Sequence, residues 1–454
     1  LELYPRDNPT DLLIADSGNH IIRSLELPTK ILLDQIENIH ISNYEREVYY
    51  ILHNGNVLAW GENRWGQLGL GLTDESISLQ RPEMITSITD VTAIEIGGTT
   101  HTVFLHGDGT VSTVGGNGYG QLGLGDSGAN TDLNTPQKVQ KLKDEDGNLI
   151  DFPEVQAIAA GDGHTVFLHG DGTVSAVGYH YYGQLGLGYS GRGTDSSVPT
   201  PEKVQKLKDE DGNLIDFPEV QAIGAGSNHT VFLHEDGTVS TVGYNQYGQL
   251  GLGDSGWDTD RSTPQKVQKL KDEDGNLIDF PEVQAIATGH SHTVFLHGDG
   301  TVSAVGHNNF GQLGLGDERS FRNTPQKVLQ RVGETGTYLS GVQAIAAGYS
   351  HTLFLHNDGT ISAVGRNGKG QLGLGQGGPT HYITPEKVSN LSGVTSLMNT
   401  ANYLYISLIR KDDSIYYSGR LDNTFFNGLG SQQEDTYTSV TTFTQIPNNL
   451  VQLG

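Results

Sequence analysis

The chain of 454 residues contains 62 glycines and is 35% hydrophobic, a composition that suits many short strands around a core and argues against long helices. Its formal charge of 27 − 53 = −26 repels phosphate backbones, so nucleic acid is excluded as a favoured partner. The chain has no cysteine and no apolar run of about 18 to 20 residues, so we expect no disulfide, no thiolate metal site and no transmembrane segment.

The first 35 residues are predicted to contain a β-hairpin. Two apolar runs between residues 11 and 25, DLLIA and HIIRSL, flank an Asp-Ser-Gly-Asn turn. At the other end, NNLVQLG (448–454) has the composition of a lone strand. Because unpaired sheet edges invite aggregation, we predict that residues 1–35 and 431–454 are closing segments that meet.

Between these ends, residues 36–430 form seven copies of one unit, whose clearest version reads VQAIAxGxxHTVFLHxDGTVSxVGxNxxGQLGLG. The seventh copy is degraded to FNGLG, at 426–430. Self-similarity of this kind is typical of repeat architectures. The six clear GQLGLG segments begin at Gly66, Gly120, Gly183, Gly248, Gly311 and Gly370.

Each unit is predicted to form four β-strands. HTVFLH (101–106) and TVSTVG (110–115) flank a Gly-Asp-Gly turn, the pattern of a tight hairpin. VQAIAAG (155–161) precedes the next hairpin, and PQKVQKL (136–142) follows a GQLGLG loop. Both faces of the HTVFLH strand carry apolar groups, which predicts sheets that pack between two neighbours. The seventh copy has Asp412-Asp413 at the turn, so its hairpin should have a different tip.

This unit resembles the RCC1 repeat, because GxxHT, DGxVxxxGxN and GQLGxG recur in that order six times. The resemblance implies a single all-β domain over residues 1–454: a seven-bladed β-propeller with four-stranded blades. The two closing segments would complete the ring as a mixed blade within the seven or as an eighth blade. The family includes an exchange factor for the Ran GTPase, a plant ultraviolet receptor and a secreted bacterial β-lactamase inhibitor protein.

Several residue patterns resemble chemical sites. GxGxxG at 118–123 lacks the strand-to-helix context of a dinucleotide site, so it is interpreted as a turn. The paired histidines, such as His101 and His106, lie on opposite faces of one strand and cannot share a metal ion. We predict instead that the GxxHT imidazole bonds to backbone at a blade corner. We predict seam packing or rim exposure for the aromatic residues that precede GQLGLG: Trp65, Tyr119, Tyr182, Tyr247 and Phe310.

Three nearly identical insertions, KLKDEDGNLIDFPEV, begin at Lys141, Lys206 and Lys269. Their Asp and Asn spacing resembles a calcium loop, but the glycine is misplaced and no glutamate closes the site. We predict hairpin extensions that form acidic fingers able to dock a basic partner. The candidate residues are Asp144, Asp146, Asp209, Asp211, Asp272 and Asp274.

The loops after the third strand of each unit vary between copies, and variable loops on a rigid scaffold commonly carry binding sites. Aromatic and arginine side chains are frequent interface anchors. The candidate partner-binding residues in these loops are Trp257, Arg261, Arg319, Phe321, Arg322, His381 and Tyr382.

No catalytic triad, nucleophile elbow or zinc signature stands out, so we predict a non-catalytic protein–protein interaction scaffold with no cofactor and no metal. Its partner would be another protein or copies of itself. Two alternatives stay open: a regulator of a partner enzyme, either a Ran-like exchange factor or an enzyme inhibitor, and a structural component of a cell-surface or secreted assembly. Near-identical copying through three units is similar to that in long microbial surface proteins of the same family, and this resemblance favours a secreted or cell-surface microbial protein over a cytoplasmic one.

Overall fold

The computed structural model consists of β-strands and connections. It describes residues 2–5, 11–16, 21–26, 30–31, 36–41, 47–72, 78–98, 100–128, 130–144, 146–192, 196–209, 211–272, 274–330, 338–375, 378–389, 391–398, 406–412, 414–421, 438–446 and 451–452. Within these ranges there is no helix that could span a bilayer. Seven four-stranded antiparallel units form the blades of a propeller, which confirms the predicted fold.

Each blade is built from four consecutive strands, named below from first to fourth. Blades 1 to 3 are Ile36–Ile41, Glu47–Leu52, Val57–Glu62, Ser78–Met84; Val91–Gly97, His101–His106, Val111–Gly115, Leu133–Lys138; and Val155–Ala160, His164–His169, Val174–Tyr179, Ser197–Lys203. Blades 4 and 5 are Val220–Ala225, His229–His234, Val239–Gly243, Arg261–Lys266; and Val283–Thr288, His292–His297, Val302–His307, Phe321–Lys327. Blades 6 and 7 are Val342–Ala347, His351–His356, Ile361–Arg366, His381–Lys387; and Val394–Leu397, Ile406–Lys411, Ser414–Leu421, Thr438–Gln445.

The first strand of each blade is innermost, and the fourth is outermost. First strands of blades 1 to 6 line a central channel. The second strand is buried on both faces: Val103 and Phe104, which point to opposite sides, are both fully inaccessible to solvent. The blades therefore hide apolar side chains between one another, as predicted for sheets packed between two neighbours.

The ring closes where blade 7 packs against blade 1. Ile39, Tyr50 and Trp60 of blade 1 share one apolar cluster with Leu408 and Tyr417 of blade 7. Both blades are made of contiguous strands, so the predicted mixed closing blade is wrong. The predicted C-terminal closing segment does contribute a strand to the ring, because Thr438–Gln445 is the outer strand of blade 7, whereas the described strands before residue 36 lie outside the seven blades. The last unit is thus longer than the 36–430 span marked by the motif.

The two ends of the chain nevertheless meet, as predicted. Lys30–Ile31 pairs with Val451–Gln452 in a short sheet outside the seven blades. The predicted hairpin is also present, because Asp11–Asp16 pairs with Ile21–Glu26, and Glu2–Pro5 adds a third strand. The hairpin of blade 7 pairs Lys411 with Ser414, which confirms that its tip differs from those of the other blades.

The three insertions form two-stranded hairpins, as predicted. Their strands are Lys141–Lys143 with Leu149–Asp151, Lys206–Lys208 with Leu214–Asp216, and Lys269–Lys271 with Leu277–Asp279. Each hairpin lies beside the outer strand of the following blade, so blades 3, 4 and 5 become six-stranded sheets. We call these three hairpins the acidic fingers.

The first glycine of each GQLGLG segment lies at a seam between blades. Gly183 has a φ of +81°, and a Cβ at this position would stand 2.5 Å from the Cα of Ser262 on the outer strand of the next blade. Gly212, at the tip of the second acidic finger, has a nearly equal φ of +82° but no atom within 4 Å of the same Cβ position. Alanine substitutions at Gly183 and Gly212 therefore separate the cost of backbone strain from the cost of crowding between blades.

We expect Gly183→Ala to destabilise the protein far more than Gly212→Ala. The left-handed backbone alone costs an alanine about 1 to 2 kcal/mol at either site. Gly183→Ala must also push two blades apart, and overpacking of this kind adds about 1 to 3 kcal/mol. Urea unfolding of both variants measures the difference. Equal losses of unfolding free energy would show that the seam tolerates the extra methyl group.

Candidate functional site

The two ends of the blades carry different connections. The turns after each first strand and the long loops after each third strand emerge at one end, which we call the loop face. The Asp-Gly hairpin turns and the acidic fingers emerge at the other end, which we call the hairpin face. The structure therefore separates the two predicted sets of partner-binding residues onto opposite faces.

The GxxHT histidines join one blade to the next. His164 Nε2 lies 3.2 Å from Thr230 Oγ1, and Thr230 Oγ1 donates to the carbonyl of Gln184 at 2.7 Å. Because that hydroxyl hydrogen is already used, His164 must donate through Nε2. The same bond joins His101 to Thr165, His229 to Thr293, His292 to Thr352 and His351 to Ser407. The predicted backbone partner is thus wrong: the partner is a hydroxyl of the neighbouring blade.

Burial keeps these imidazoles neutral. It lowers the pKa of His164, His229 and His292 to about 3 and that of His101 to about 4. The ring of His229 lies over the Cα of Gly226, where a Cβ would be 2.1 Å from His229 Cε1, which explains the glycine of GxxHT. In the described part of the chain, no three His, Asp or Glu side chains gather as they would around a metal ion.

The central channel is narrow and almost uncharged. Its cavity is about 150 Å³, and it is lined mainly by isoleucine and alanine. Of its described lining residues, only His40 and Glu95 are ionisable. Burial lowers the pKa of His40 to about 4 and raises that of Glu95 to about 8, so the neutral forms of both predominate near pH 7. The channel is too small to admit a protein partner.

On the loop face, aromatic rings form an arc across four seams. The residue before each GQL packs on the residue that follows the third-strand glycine of the next blade. Ring centroids are 4.6 Å apart for Tyr119 and Tyr179, 4.6 Å for Tyr182 and Tyr244, and 4.9 Å for Tyr247 and His307; Arg366 lies 4.8 Å from the Phe310 centroid. We call these four pairs the aromatic arc.

The arc is partly exposed, and Tyr119 keeps 45% of its surface accessible. Both predicted alternatives, seam packing and rim exposure, therefore hold for the same rings. Burial, with smaller contributions from neighbouring phenols, raises the pKa of Tyr179 and Tyr244 to about 12. Their hydroxyls stay protonated and can donate hydrogen bonds. Lys369 replaces the aromatic residue in blade 6, so the arc is open there, as the sequence indicates.

Of the seven candidate residues in the loops, three are well exposed. Trp257 is 66% accessible, Phe321 is 39% accessible, and the Arg319 side chain is 81% accessible at 3.6 Å from Asp317. Trp257 and Arg319 project from the loops of blades 4 and 5, and Phe321 projects from the start of the outer strand of blade 5, where a partner can reach them.

The structure places the other four candidates at the starts of outer strands, where they brace the loop face. Arg322 donates to both oxygens of Asp317 at 2.6 Å, and Arg261 donates to Asp254. His381 of blade 6 reaches Glu318 of blade 5 at 2.8 Å. Tyr382 packs against the apolar cluster between blades 6 and 7. These contacts hold the loops in fixed positions, as a pre-organised binding surface requires.

Arginine and lysine are segregated between the two faces. In blades 2 to 6, every arginine of the described ranges lies on the loop face: Arg192, Arg261, Arg319, Arg322 and Arg366. Every lysine there except Lys369 lies in an acidic finger or at the hairpin-face end of an outer strand. Arginine, tyrosine and tryptophan are enriched in protein interfaces and lysine is depleted, so the loop face has the composition of an interface.

The acidic residues of the fingers have two different roles. Asp144, Asp209 and Asp272 accept backbone N–H groups of their own tips; for Asp144 these come from Asp146 at 3.0 Å and Asn148 at 2.8 Å. The hydrogen bond from Asn148 holds the pKa of Asp144 below its ordinary value. Asp146, Asp211 and Asp274 are exposed to solvent.

Sequence reasoning misses half of the aromatic arc. Tyr179, Tyr244 and His307 follow the third-strand glycine, and each contacts a ring from the preceding repeat, which no pattern within a single repeat reveals. Aligning the repeats at that position gives Gly116, Tyr179, Tyr244, His307 and Arg366, a series in which bulky groups run through four consecutive blades. An alignment of the repeats at this position could therefore have predicted the second half of the aromatic arc.

Comparison with known proteins identifies related chains. A family model described as RCC1-like domain matches residues 151–454, and one described as Regulator of chromosome condensation (RCC1) repeat matches 54–105 and 108–168. The chain is 30% identical to the ultraviolet-B receptor UVR8 of Arabidopsis thaliana over 73% of its own length and 66% of the receptor. It is 32% identical to the probable E3 ubiquitin-protein ligase HERC4 of Homo sapiens over 70% of its own length and 31% of that protein.

The chain thus spans less than two thirds of either relative. It is also 28% identical to the human regulator of chromosome condensation, over 85% of its own length and 84% of the regulator. Among solved structures, yeast RCC1 (Prp20) bound to Kap60 has a TM-score of 0.65 at 23% identity, covering 87% of this chain and 84% of that one. Human WBSCR16 also has a TM-score of 0.65, at 18% identity, covering 87% and 94%. These structures support the propeller fold.

We expect Thr230→Val to destabilise the protein by about 2 to 3 kcal/mol, because it leaves the Gln184 carbonyl and the His164 N–H buried without a partner. Thr230→Ser keeps the hydroxyl and should cost only about 1 kcal/mol, for the lost methyl group. Urea unfolding near pH 7 measures both variants. A Val variant no less stable than the Ser variant would contradict the role given to this hydroxyl.

Acid should weaken the protein through these histidines. The unfolded imidazole takes up a proton below its ordinary pKa of 6.5, whereas folded His164 does so only near 3. The contribution of each such histidine to the free energy of unfolding is therefore fully present above about pH 6.5. It falls as the pH drops toward 4, by up to ~1.4 kcal/mol per pH unit for each such histidine. We expect His164→Gln to reduce this slope by about one proton relative to the unsubstituted protein in urea unfolding at several pH values. An unchanged slope would show that His164 is already protonated when folded.

Proposed function

The chain belongs to the family of proteins built from RCC1 repeats in an RCC1-like domain, and from that premise we propose that it is a non-catalytic scaffold that holds a partner protein against its loop face. The observation that carries the proposal is the composition of this face. Arginine and aromatic side chains gather there, whereas lysine gathers at the opposite end of the blades.

The rigidity of the loop face supports the same proposal. Arg192 of blade 3 donates to the carbonyl of Trp257 at 3.0 Å and to Asp260 at 2.9 Å, so the loops of blades 3 and 4 are tied together. The pair of His381 and Glu318 ties blades 5 and 6 in the same way. A surface whose side chains are already fixed loses little conformational entropy when it binds. Trp257 and Tyr119 stand out from this surface as exposed anchors.

Related propellers support a protein as the partner. One solved structure shows yeast RCC1 (Prp20) bound to Kap60, and another, of Prp20p, concerns its binding to Gsp1p and histones. The ligase activity of HERC4 belongs to a protein of which this chain matches 31%, so it is not transferred. The secreted or cell-surface location stays a prediction.

A second candidate function is regulation of a partner enzyme. It is favoured by the match to the human regulator of chromosome condensation, which covers 84% of that protein. Nucleotide exchange is one form of such regulation, and it can be tested with purified small GTPases that carry a fluorescent nucleotide. Faster nucleotide release in the presence of this chain supports an exchange factor. An unchanged release rate excludes exchange activity on these GTPases and favours the scaffold.

The scaffold predicts that exposed loop-face anchors carry binding energy. We expect a Trp257→Ala, Tyr119→Ala double variant to bind a partner captured from the source organism at least ~10-fold more weakly than the unsubstituted chain, because aromatic anchors commonly contribute more than about 1.4 kcal/mol. Trp257 is well exposed and Tyr119 loses only its contact with Tyr179, so the fold should be retained at a small cost in stability, and circular dichroism checks this. Biolayer interferometry with the purified partner measures the affinity.

The control is Met84→Ala, an exposed apolar residue at the hairpin-face end of the outer strand of blade 1 and outside the acidic fingers. It should leave this affinity unchanged. If the control weakens binding and the double variant does not, the loop face is not the binding face.

A further inference from the structure

The acidic fingers expose leucines that the fold does not use. Leu149, Leu214 and Leu277 are 60%, 61% and 58% accessible, although each lies on a strand. The fingers are anchored by other residues: in the first finger Leu142 is buried, and Phe152 packs at 5.1 Å from the ring of Phe167. More than half of the surface of each of these equivalent leucines is therefore left uncovered by the attachment of the fingers.

Each finger also presents a free strand edge. The bond from Asp144 N to the Asn148 carbonyl and the bond from Phe152 N to the Gln140 carbonyl bracket the first finger. Since hydrogen-bonded and non-bonded pairs alternate in an antiparallel ladder, Leu142 and Ile150 form the bonded pair between them. The N–H and C=O groups of Leu149 and Asp151 then point outward, and among the described residues no further strand lies beside them. Such an edge can accept an added strand.

The negative charge of the fingers indicates which kind of partner can bind at their strand edges. Residues 141–154 contain two lysines and five acidic residues, a net charge of −3, and residues 206–219 and 269–282 contain the same set. Together they hold −9 of the formal −26. Both lysines of the first finger are already engaged, Lys141 with Asp151 at 2.7 Å and Lys143 with Glu202 at 2.8 Å. A second copy of the chain would bring like charges together, whereas a basic protein is attracted.

The fingers are presented in a regular array. Each finger lies beside the outer strand of the following blade through the same parallel bridge, which aligns Lys143 with Glu202, Lys208 with Gln265 and Lys271 with Gln326. Successive fingers are therefore related by the rotation from one blade to the next. Because their sequences are identical, the array offers three copies of one site.

We propose that the three acidic fingers form a trivalent docking surface for a basic protein that carries several copies of a short segment with alternating apolar and basic residues. Each segment adds a strand to one finger edge, places an apolar side chain on the exposed leucine and faces the acidic tip with its basic groups. One short segment binds weakly, and linkage of several segments raises the affinity without new contacts. This surface is independent of the loop face.

The probe is a labelled peptide of alternating lysine and valine, compared as one copy and as three copies joined by glycine–serine linkers. We expect the three-copy peptide to bind at least ~100-fold more tightly than the single copy, measured by fluorescence anisotropy in about 150 mM NaCl. Leu149→Ser, Leu214→Ser and Leu277→Ser should each weaken it by a similar factor, about tenfold. The triple variant should bind the three-copy peptide no better than the unsubstituted chain binds one copy, and the Trp257→Ala, Tyr119→Ala variant should retain full affinity.

The leucine variants keep the charge of the protein, so they separate docking from general attraction to an acidic surface. Unchanged affinity of the triple variant, or equal affinity for one and three copies, overturns the proposal. If only one of the three leucine variants loses binding, the claim that the three fingers are equivalent sites is wrong. Analytical sedimentation tests whether the chain associates with itself. If the unsubstituted chain self-associates and the triple variant does not, a second copy occupies the fingers, and this result also overturns the proposal. None of these results bears on the loop face, which is tested by its own variants.

Discussion

The structure depends on one interaction between adjacent blades: a threonine or serine hydroxyl that accepts a hydrogen bond from the histidine of the preceding blade and donates one to a glutamine carbonyl of that blade. His164, Thr230 and Gln184 show this arrangement at distances of 3.2 and 2.7 Å, and it is repeated along the ring. It requires a neutral imidazole donating through Nε2, which burial provides. It also requires close seams, which is why glycines stand where neighbouring blades approach.

Such rigid seams let the two faces of the ring diverge chemically. The seam hydrogen bonds use the second strand and the short GQL segment that follows the third strand, so the remainder of each connection can vary without disturbing them. At the loop face, these connections became arginine-rich and aromatic and are tied to one another by pairs such as His381 with Glu318. At the hairpin face, three of them lengthened into fingers that lie beside the next outer strand. One scaffold therefore carries two surfaces of different character.

The sequence predicts what is local to one repeat and misses what crosses a seam. The Asp-Gly turns and short β-favouring runs identify the hairpins because these signals lie within a few residues of one another. The partner of His101 is Thr165, 64 residues away, and spacing alone does not reveal it. The same holds for Tyr119 on Tyr179 and for Lys143 beside Glu202. The outer strand of blade 7 is missed for a different reason: its repeat motif has degraded, while its pairing with Ser414–Leu421 persists.

The narrow channel has a consequence for the size of the ring. At one level around the axis, the first strands of blades 3 to 6 present Ala159, Gly224, Ala287 and Ala346, whereas those of blades 1 and 2 present His40 and Glu95. A Cβ added to Gly224 would stand 3.0 Å from Thr288 of the next blade. Side chains this small let inner strands converge until little space is left between them. Adding a blade would open a hole that alanine and glycine cannot fill, and removing one would force these strands to overlap. The small innermost side chains of blades 3 to 6 are therefore matched to the present width of the channel, so a duplicated unit would have to bring different residues to the axis.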